Sequence, residues 1–295
     1  MYDIQLFGRL EVRTRGVRLS GRDFGGTKPR HILALLALRG PLGKGELTEL
    51  LWDGRPPANH KATVESYVSV LRHRLDPDGK ARDSAISTRS GGGYALVADR
   101  VRVDVARFDE LVAAATGRSA AGALRPLTAA AELAGRPLLE EEAGSEWAGT
   151  ARAHYRGRLV GALLEAGGHT LAAADPTRAL ALAERAVGLD PLAERGWAIA
   201  MAAHRALGDR VAALRAYDRC RRQLADGLGV EPCGETRALF LDLLREDGAG
   251  TALDDAIAAV LAAAGAPHAP GTATGLLRRA TDFATRAPLI RSAGK

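Results

Sequence analysis

Hydrogen-bonding side chains recur along one face of a helix that the sequence predicts over residues 61–75. An apolar stripe at i, i+4, i+7 and i+11 marks the side that faces a protein core; it consists of Val64, Val68, Leu71 and Leu75. The opposite side is small or polar and consists of Ala62, Ser66, Ser69 and His73. Hydroxyl and imidazole groups can hydrogen-bond to base edges in the major groove of DNA, and a neighbouring Val70 can contact a thymine methyl group. This spacing favours a DNA-reading helix, with an ordinary solvated face as the alternative.

Cationic residues accompany this helix. Lys28 and Arg30 stand at the start of one predicted helix and Lys61 at the start of the helix over residues 61–75, where positive side chains suit contacts with phosphate groups. Arg89 stands in a predicted hairpin turn, from which it can enter the minor groove. The complete set of predicted DNA contacts is Lys28, Arg30, Lys61, Thr63, Ser66, Ser69, Val70, Arg72, His73 and Arg89.

The elements that must position these side chains follow from the local sequence. β-Forming residues around a Thr-Arg-Gly turn predict short strands within residues 4–19. A helix is predicted to begin with Thr27 as its N-cap and to end at Gly40, and another to cover residues 44–52. Two prolines in residues 53–59 exclude a helix there and predict a loop.

A second hairpin is predicted over residues 85–97, with Gly91–Gly93 at its tip. This glycine run lacks the following Lys-Ser/Thr of a nucleotide-binding loop, so a tight turn explains it better. Strands, three helices and a terminal hairpin predict an α+β winged helix-turn-helix over residues 1–100.

The distribution of charged residues along the chain also favours DNA binding by the first hundred residues. Residues 1–100 contain 17 Lys and Arg against 11 Asp and Glu, whereas the remaining residues contain 24 of each sign. The whole positive excess therefore lies on the predicted winged helix, where attraction to phosphates requires it.

An all-α region is predicted over residues 101–247, because segments rich in alanine and leucine replace the β-forming pattern. It contains a weak 34-residue repeat typical of tetratricopeptide-like helical hairpins. The corresponding positions are Ala179, Ala183 and Ala186 in the first copy and Ala213, Tyr217 and Cys220 in the second, with Trp197 between them. Residues 248–295 are predicted to be a C-terminal extension that is partly helical or mobile.

Little in the sequence indicates any other class of protein. There is no HExxH, GxSxG or nucleotide-loop motif and no clustered set of metal ligands, so we expect no enzymatic activity, no cofactor and no metal. The run Glu140–Glu142 is interpreted as a solvated surface, and Cys220 and Cys233 as reduced structural thiols. Neither a signal peptide nor a membrane span is predicted, which favours a cytoplasmic protein.

Several segments resemble the Streptomyces antibiotic regulatory protein family. GGTKPRHILALLALRG, ELTELLWDGRPPAN, TVESYVSVLRHRL and STRSGGGYALV resemble its OmpR-type winged helix. GDRVAALRAYDRCRRQLADGLGVEPCGETRALFLDLL is similar to its bacterial transcriptional activator domain. The resemblance covers about residues 4–246 and departs from the family at Val70, where an arginine is usual.

This resemblance implies a sequence-specific transcriptional activator, as a regulator of an antibiotic gene cluster. It implies binding to direct repeats of double-stranded DNA as a side-by-side homodimer, and recruitment of RNA polymerase holoenzyme. The loop from Asp53, with Arg55 and Asn59, occupies the position from which relatives contact the polymerase. Two alternatives stay open: a repressor, or a helical-repeat scaffold or ligand sensor in which DNA binding is secondary.

Overall fold

The computed structural model describes residues 1–77 and 84–245. The chain divides into two compact units, the first comprising residues 1–169 and the second beginning at Thr170. The predicted boundary at residue 100 lies inside the first unit. The predicted extension over residues 248–295 lies outside the described residues.

The first unit opens with three antiparallel strands, β1 (Tyr2–Gln5), β2 (Glu11–Thr14) and β3 (Val17–Ser20). The predicted tight turn between β2 and β3 is confirmed: Arg15 and Gly16 both have positive φ, 48° and 79°, as a two-residue hairpin loop requires. The other neighbour of β1 is a parallel strand, β6 (Val101–Val103), so the sheet order is β3-β2-β1-β6.

Three helices follow the first three strands and pack against one another: α1 (Thr27–Arg39), α2 (Lys44–Trp52) and α3 (His60–Leu75). The bounds predicted for α2 are confirmed, and α3 begins one residue before its predicted start. The capping prediction for α1 was wrong: Thr27 is the first helical residue and Gly26, with φ 131°, is the N-cap. A left-handed backbone at that position admits glycine without steric cost.

The predicted second hairpin is present as β4 (Ile86–Thr88) and β5 (Tyr94–Leu96), paired antiparallel. Two backbone hydrogen bonds between Leu42 and Tyr94 join it to the connection between α1 and α2. A Cβ atom at Gly93 would lie 2.5 Å from the Leu42 carbonyl oxygen, so glycine is required for this close approach. These elements together form the predicted winged helix.

The remainder of the first unit is helical, with α4 (Asp104–Ala115), α5 (Ala120–Leu133) and α6 (Glu146–Ala172), whose last residues enter the second unit. A buried aromatic cluster of Phe7, Phe108 and Tyr155 joins the loop after β1 to α4 and α6, with ring centroids 5.6–5.9 Å apart. This part of the predicted all-α region therefore shares one core with the winged helix.

In the part of the second unit that the structure describes, four helices follow α6: α7 (Pro176–Leu189), α8 (Glu194–Ala206), α9 (Arg210–Leu228) and α10 (Gly234–Arg245). The N-caps of α7 and α9, Asp175 and Asp209, stand one 34-residue period apart and accept hydrogen bonds from the Arg178 and Ala212 amides. The repeat positions named from the sequence are all buried. The predicted fold class, a winged helix followed by tetratricopeptide-like helical hairpins, is confirmed.

None of the helices within residues 1–77 and 84–245 combines the length and the apolar character needed to cross a membrane.

Candidate nucleic-acid interface

Helix α3 separates an apolar side from a polar one, as its spacing predicts. Val64, Val68, Leu71 and Leu75 are at most 4% exposed. On the other side Ser66, Ser69 and His73 are exposed, together with Ala62. None of the three polar side chains has a hydrogen bond or ion pair with another described residue. Their hydrogen-bonding groups are therefore available to an external partner.

The acid on this side of α3 is neutralised within the protein. Lys44, the first residue of α2, places its Nζ 2.5 Å from Oε1 of Glu65. This hydrogen bond raises the pKa of the Lys44 ammonium above its usual value. The pair removes a negative charge that would otherwise repel phosphate groups.

Arg72 was predicted to contact DNA, but its side chain turns to the wing. Its Nε donates to the Ile86 carbonyl oxygen at 3.1 Å and its Nη2 to Thr88 Oγ1 at 2.8 Å. Its guanidinium also lies 5.9 Å from the centroid of the Tyr94 ring. Arg72 is therefore a positioning residue that ties α3 to both strands of the wing.

Val70 is half-buried against the turn that precedes α1, rather than presented freely. A Cβ atom built on Gly25 would lie 2.4 Å from Val70 Cγ1, and the next turn of α3 places the Arg74 side chain beside the same glycine. Arg74 is exposed and has no ion pair with another described residue. Arg74 was not among the predicted DNA contacts, although its i+4 spacing from Val70 was a signal.

Lys28 and Arg30 were predicted to contact phosphates, and the structure uses both internally. The Lys28 ammonium donates to the Leu51 carbonyl oxygen at the end of α2 and lies 5.7 Å from the Trp52 ring centroid. The guanidinium of Arg30 is 16% exposed and contacts Glu142 through Nε at 2.7 Å and Nη2 at 2.5 Å. Both therefore stabilise the unit from inside.

Glu142 is the buried centre of a charged cluster, so the solvated-surface interpretation of its run was wrong. Its second oxygen lies 2.6 Å from His31 Nε2, and the carboxylate is 6% exposed. Burial raises the pKa of Glu142, but the His31 hydrogen bond and the charges of His31 and Arg30 outweigh it, so the pKa lies below its usual value. The neighbouring Glu141 accepts the Leu10 amide at 3.0 Å.

The first turn of α3 presents one predicted cation to solvent. Lys61 is exposed and has no ion pair with another described residue. Thr63 is half-buried, and its Oγ1 donates to the Asn59 carbonyl oxygen at 2.9 Å. Lys61 thus stays a candidate phosphate contact, whereas the Thr63 hydroxyl proton is already used by the backbone.

Arg89 lies at the tip of the wing, as predicted. Its amide donates to the Gly93 carbonyl at 2.9 Å and its carbonyl accepts from Gly92, which has φ 79°. The side chain is exposed. The five-residue tip closed by these bonds therefore presents a cation from a short, defined turn.

Residues 53–59 form an exposed loop between α2 and α3. Asp53 ends α2 in the left-handed region, with φ 48°, and the Arg55 amide donates to Trp52. Asn59 is the N-cap of α3; its carbonyl accepts the first helical hydrogen bond, from the Thr63 amide, and its side chain makes no capping hydrogen bond. All three predicted polymerase contacts therefore present side chains to solvent.

Among the described residues no group of three or more His, Cys, Asp or Glu side chains is arranged to hold a metal ion. Cys220 is buried and Cys233 exposed, and both are free thiols.

Two known protein families match the chain in sequence. Residues 26–96 match "Transcriptional regulatory protein, C terminal" and residues 103–244 match "Bacterial transcriptional activator domain". The first range holds α1–α3 and the wing, and the second begins with the last residue of β6.

Curated relatives are transcriptional regulators. The chain is 29% identical to transcriptional regulatory protein MoaR1 of Mycobacterium tuberculosis over 250 residues, which cover 82% of this chain and 78% of MoaR1. It is 32% identical to regulatory protein AfsR of Streptomyces coelicolor over 287 residues, which cover 90% of this chain and 26% of AfsR.

A solved structure of Mycobacterium tuberculosis EmbR, in complex with a low affinity phosphopeptide, has a similar fold. It superposes with a TM-score of 0.70 at 26% identity and covers 88% of this chain and 70% of the EmbR chain. The two domain matches stand in the order that the sequence motifs indicated. The chain belongs to the Streptomyces antibiotic regulatory protein family of transcriptional regulators.

Proposed function

We propose that this regulator binds double-stranded DNA by placing α3 in the major groove and Arg89 in the adjacent minor groove. The observation that carries the proposal is the exposed, unengaged set Ser66, Ser69 and His73 on the side of α3 away from the core. Such groups can hydrogen-bond to base edges. Lys61, beside them, suits phosphate contacts that position the helix.

The revised interface differs from the predicted set. It excludes Lys28 and Arg30, which bind groups of the protein itself, and it uses Arg72 to hold the wing. It adds Arg74, whose exposed guanidinium extends the positive side of α3. Val70 then acts through its contact with Gly25, which supports the angle of α3.

We further propose that the protein activates transcription of an antibiotic gene cluster, binds direct repeats as a side-by-side pair and recruits RNA polymerase through residues 53–59. The exposure of the whole loop supports the polymerase contact. Its anchoring between α2 and α3 means that DNA binding by α3 would present the loop in a defined orientation. Membership of the family supports the remaining assignments.

The DNA proposal is tested by gel shift and footprinting on the promoter adjoining the gene for this protein, over a salt series. Salt-sensitive protection of spaced direct repeats is expected, because phosphate contacts release counterions. The variant His73→Ala/Arg89→Ala should bind the repeats more weakly. Its matched control is Arg118→Ala, an exposed arginine between α4 and α5. Equal binding of promoter and random DNA would contradict the proposal.

The polymerase proposal is tested separately by transcription in vitro from the same promoter. The variant Asp53→Ala/Arg55→Ala should keep its footprint but lose activation. Loss of both would place these residues in DNA binding instead, and a decrease in transcript with the unaltered protein would identify a repressor.

A further inference from the structure

A groove in the second unit runs along α9 on the side facing α7 and α8, and we refer to it as the α7–α9 groove. It is composed of two adjoining depressions of about 510 and 340 Å³ that share Glu184, His204 and Arg219. Arg215 and Arg222 line the first depression, and Trp197 lines the second. Concave faces of stacked helical hairpins are suited to binding extended partners.

The first depression carries a net positive charge, because three arginines line it against two carboxylates, Glu184 and Asp218. Asp218 is engaged by two arginines, Arg222 at 2.7 Å and Arg221 at 3.5 Å. Arg215 and Arg219 are exposed, and neither has an ion pair with another described residue. An anionic partner can therefore bind there without displacing an existing ion pair.

The second depression is largely apolar. Val187, Pro191, Trp197 and Ala200 line it. The guanidinium of Arg219 lies over the Trp197 ring, 5.4 Å from its centroid. Because one face of this ring is already covered, it offers no stacking platform there for a nucleic-acid base. An aliphatic side chain suits the depression better.

The spacing of the arginines matches an extended peptide. Arg215 and Arg219 are separated by four helical residues, which correspond to about 6 Å along the axis. Side chains on one face of an extended peptide repeat every two residues, about 6.6 Å. Carboxylates at alternate positions can thus meet successive arginines, and the next side chain on that face reaches the apolar depression.

We propose that the α7–α9 groove binds an extended peptide segment of a partner protein with the pattern acidic, any, acidic, any, aliphatic. Arg215 and Arg219 bind the two carboxylates, and the depression lined by Val187 and Trp197 takes the aliphatic side chain. The site lies wholly in the second unit and does not depend on the DNA contact proposed for the first.

The test uses the full chain and fluorescein-labelled peptides containing Glu-Ala-Glu-Ala-Leu or its reverse order, flanked by glycines. Fluorescence anisotropy should show saturable binding of one of them with a dissociation constant below about 1 mM. A peptide with glutamine for both glutamates should bind at least tenfold more weakly. Absence of saturation with both orders, or equal binding of the glutamine peptide, overturns the proposal.

Matched variants separate the groove from general attraction to a basic protein. Arg219→Glu should weaken binding about fivefold, the effect of one partly exposed ion pair. Arg195→Glu changes an exposed arginine outside the groove by the same charge and should leave affinity within twofold. Equal effects of the two substitutions overturn the proposal. The proposal is also overturned if the Arg219→Glu variant keeps its peptide affinity but loses affinity for random duplex DNA, because the groove would then bind nucleic acid. Thermal melting checks that each variant is folded.

Discussion

Replacing Gly25 with alanine is expected to destabilise the first unit and to disturb the seating of α3. Gly25 has φ +85°, and an added Cβ atom would lie 2.4 Å from Val70 Cγ1. The left-handed backbone costs an alanine about 1–2 kcal/mol. The overlap forces Val70 or α3 to move, at a further cost of about 1–3 kcal/mol. The free energy of unfolding should therefore fall by about 2–5 kcal/mol.

A double-mutant cycle separates these two penalties. Val70→Ala removes the atom that Gly25→Ala would strike, so the double variant keeps the backbone penalty and loses the overlap. The two substitutions should show a favourable coupling of about 1–3 kcal/mol in urea denaturation. Gly45→Ala is the matched control, because Gly45 lies inside α2 with open space around its Cα, and it should stabilise the protein by up to about 1 kcal/mol. Additive effects within about 0.5 kcal/mol would refute the contact.

Three further predictions concern other contacts. Glu142→Ala should lower the free energy of unfolding by about 3–5 kcal/mol at neutral pH, because Arg30 loses its buried counter-charge and His31 its hydrogen-bond partner. The pKa of Glu142 lies below 4.5 in the folded state, so its contribution to the free energy of unfolding is present above pH 4.5 and is lost as the pH falls through the lowered pKa. Urea denaturation should therefore show a smaller difference in stability between the unaltered protein and the variant in acid than at pH 7. Arg72→Lys cannot reproduce the forked contacts, so amide exchange in the wing should accelerate while the α2 amides stay protected; unchanged wing protection would contradict this role. Asp209→Ala removes the N-cap of α9 and should cost about 1 kcal/mol in thermal denaturation, with an unshifted melting temperature as the contrary result.

Local sequence patterns were sufficient for most elements. Helix α3 was predictable because Val64 and Val68 belong to an apolar stripe with helical period. Burial of that stripe determines which side of the helix faces the core. The wing was predictable because Gly91–Gly93 supply the turn between two β-forming segments. The exposed set Ser66, Ser69 and His73 followed directly from the position of that stripe.

The partners of the cations were not predictable from local patterns. Arg30 and Glu142 stand 112 residues apart, and nothing near Arg30 in the sequence indicates a buried carboxylate. Lys28 reaches a backbone carbonyl on another helix, a contact that depends on the packing of α1 and α2. A basic residue at a helix start is compatible with phosphate binding and with internal ion pairing alike, and tertiary structure decides between them.

The position of Glu142 also changes how the two halves of the regulator are understood. The segment that contains it hydrogen-bonds to the loop after β1, through Leu139 to Leu6 and between Gly8 and Pro137. Arg152 of α6 donates to carbonyl oxygens of the same segment at Leu139 and Glu142. A boundary between the two matched domains at about residue 100 would cut β6 away from β1, leave Arg30 without its counter-charge and leave His31 without its hydrogen-bond partner. Helix α3 and the helices α4 and α5 therefore belong to one folded unit.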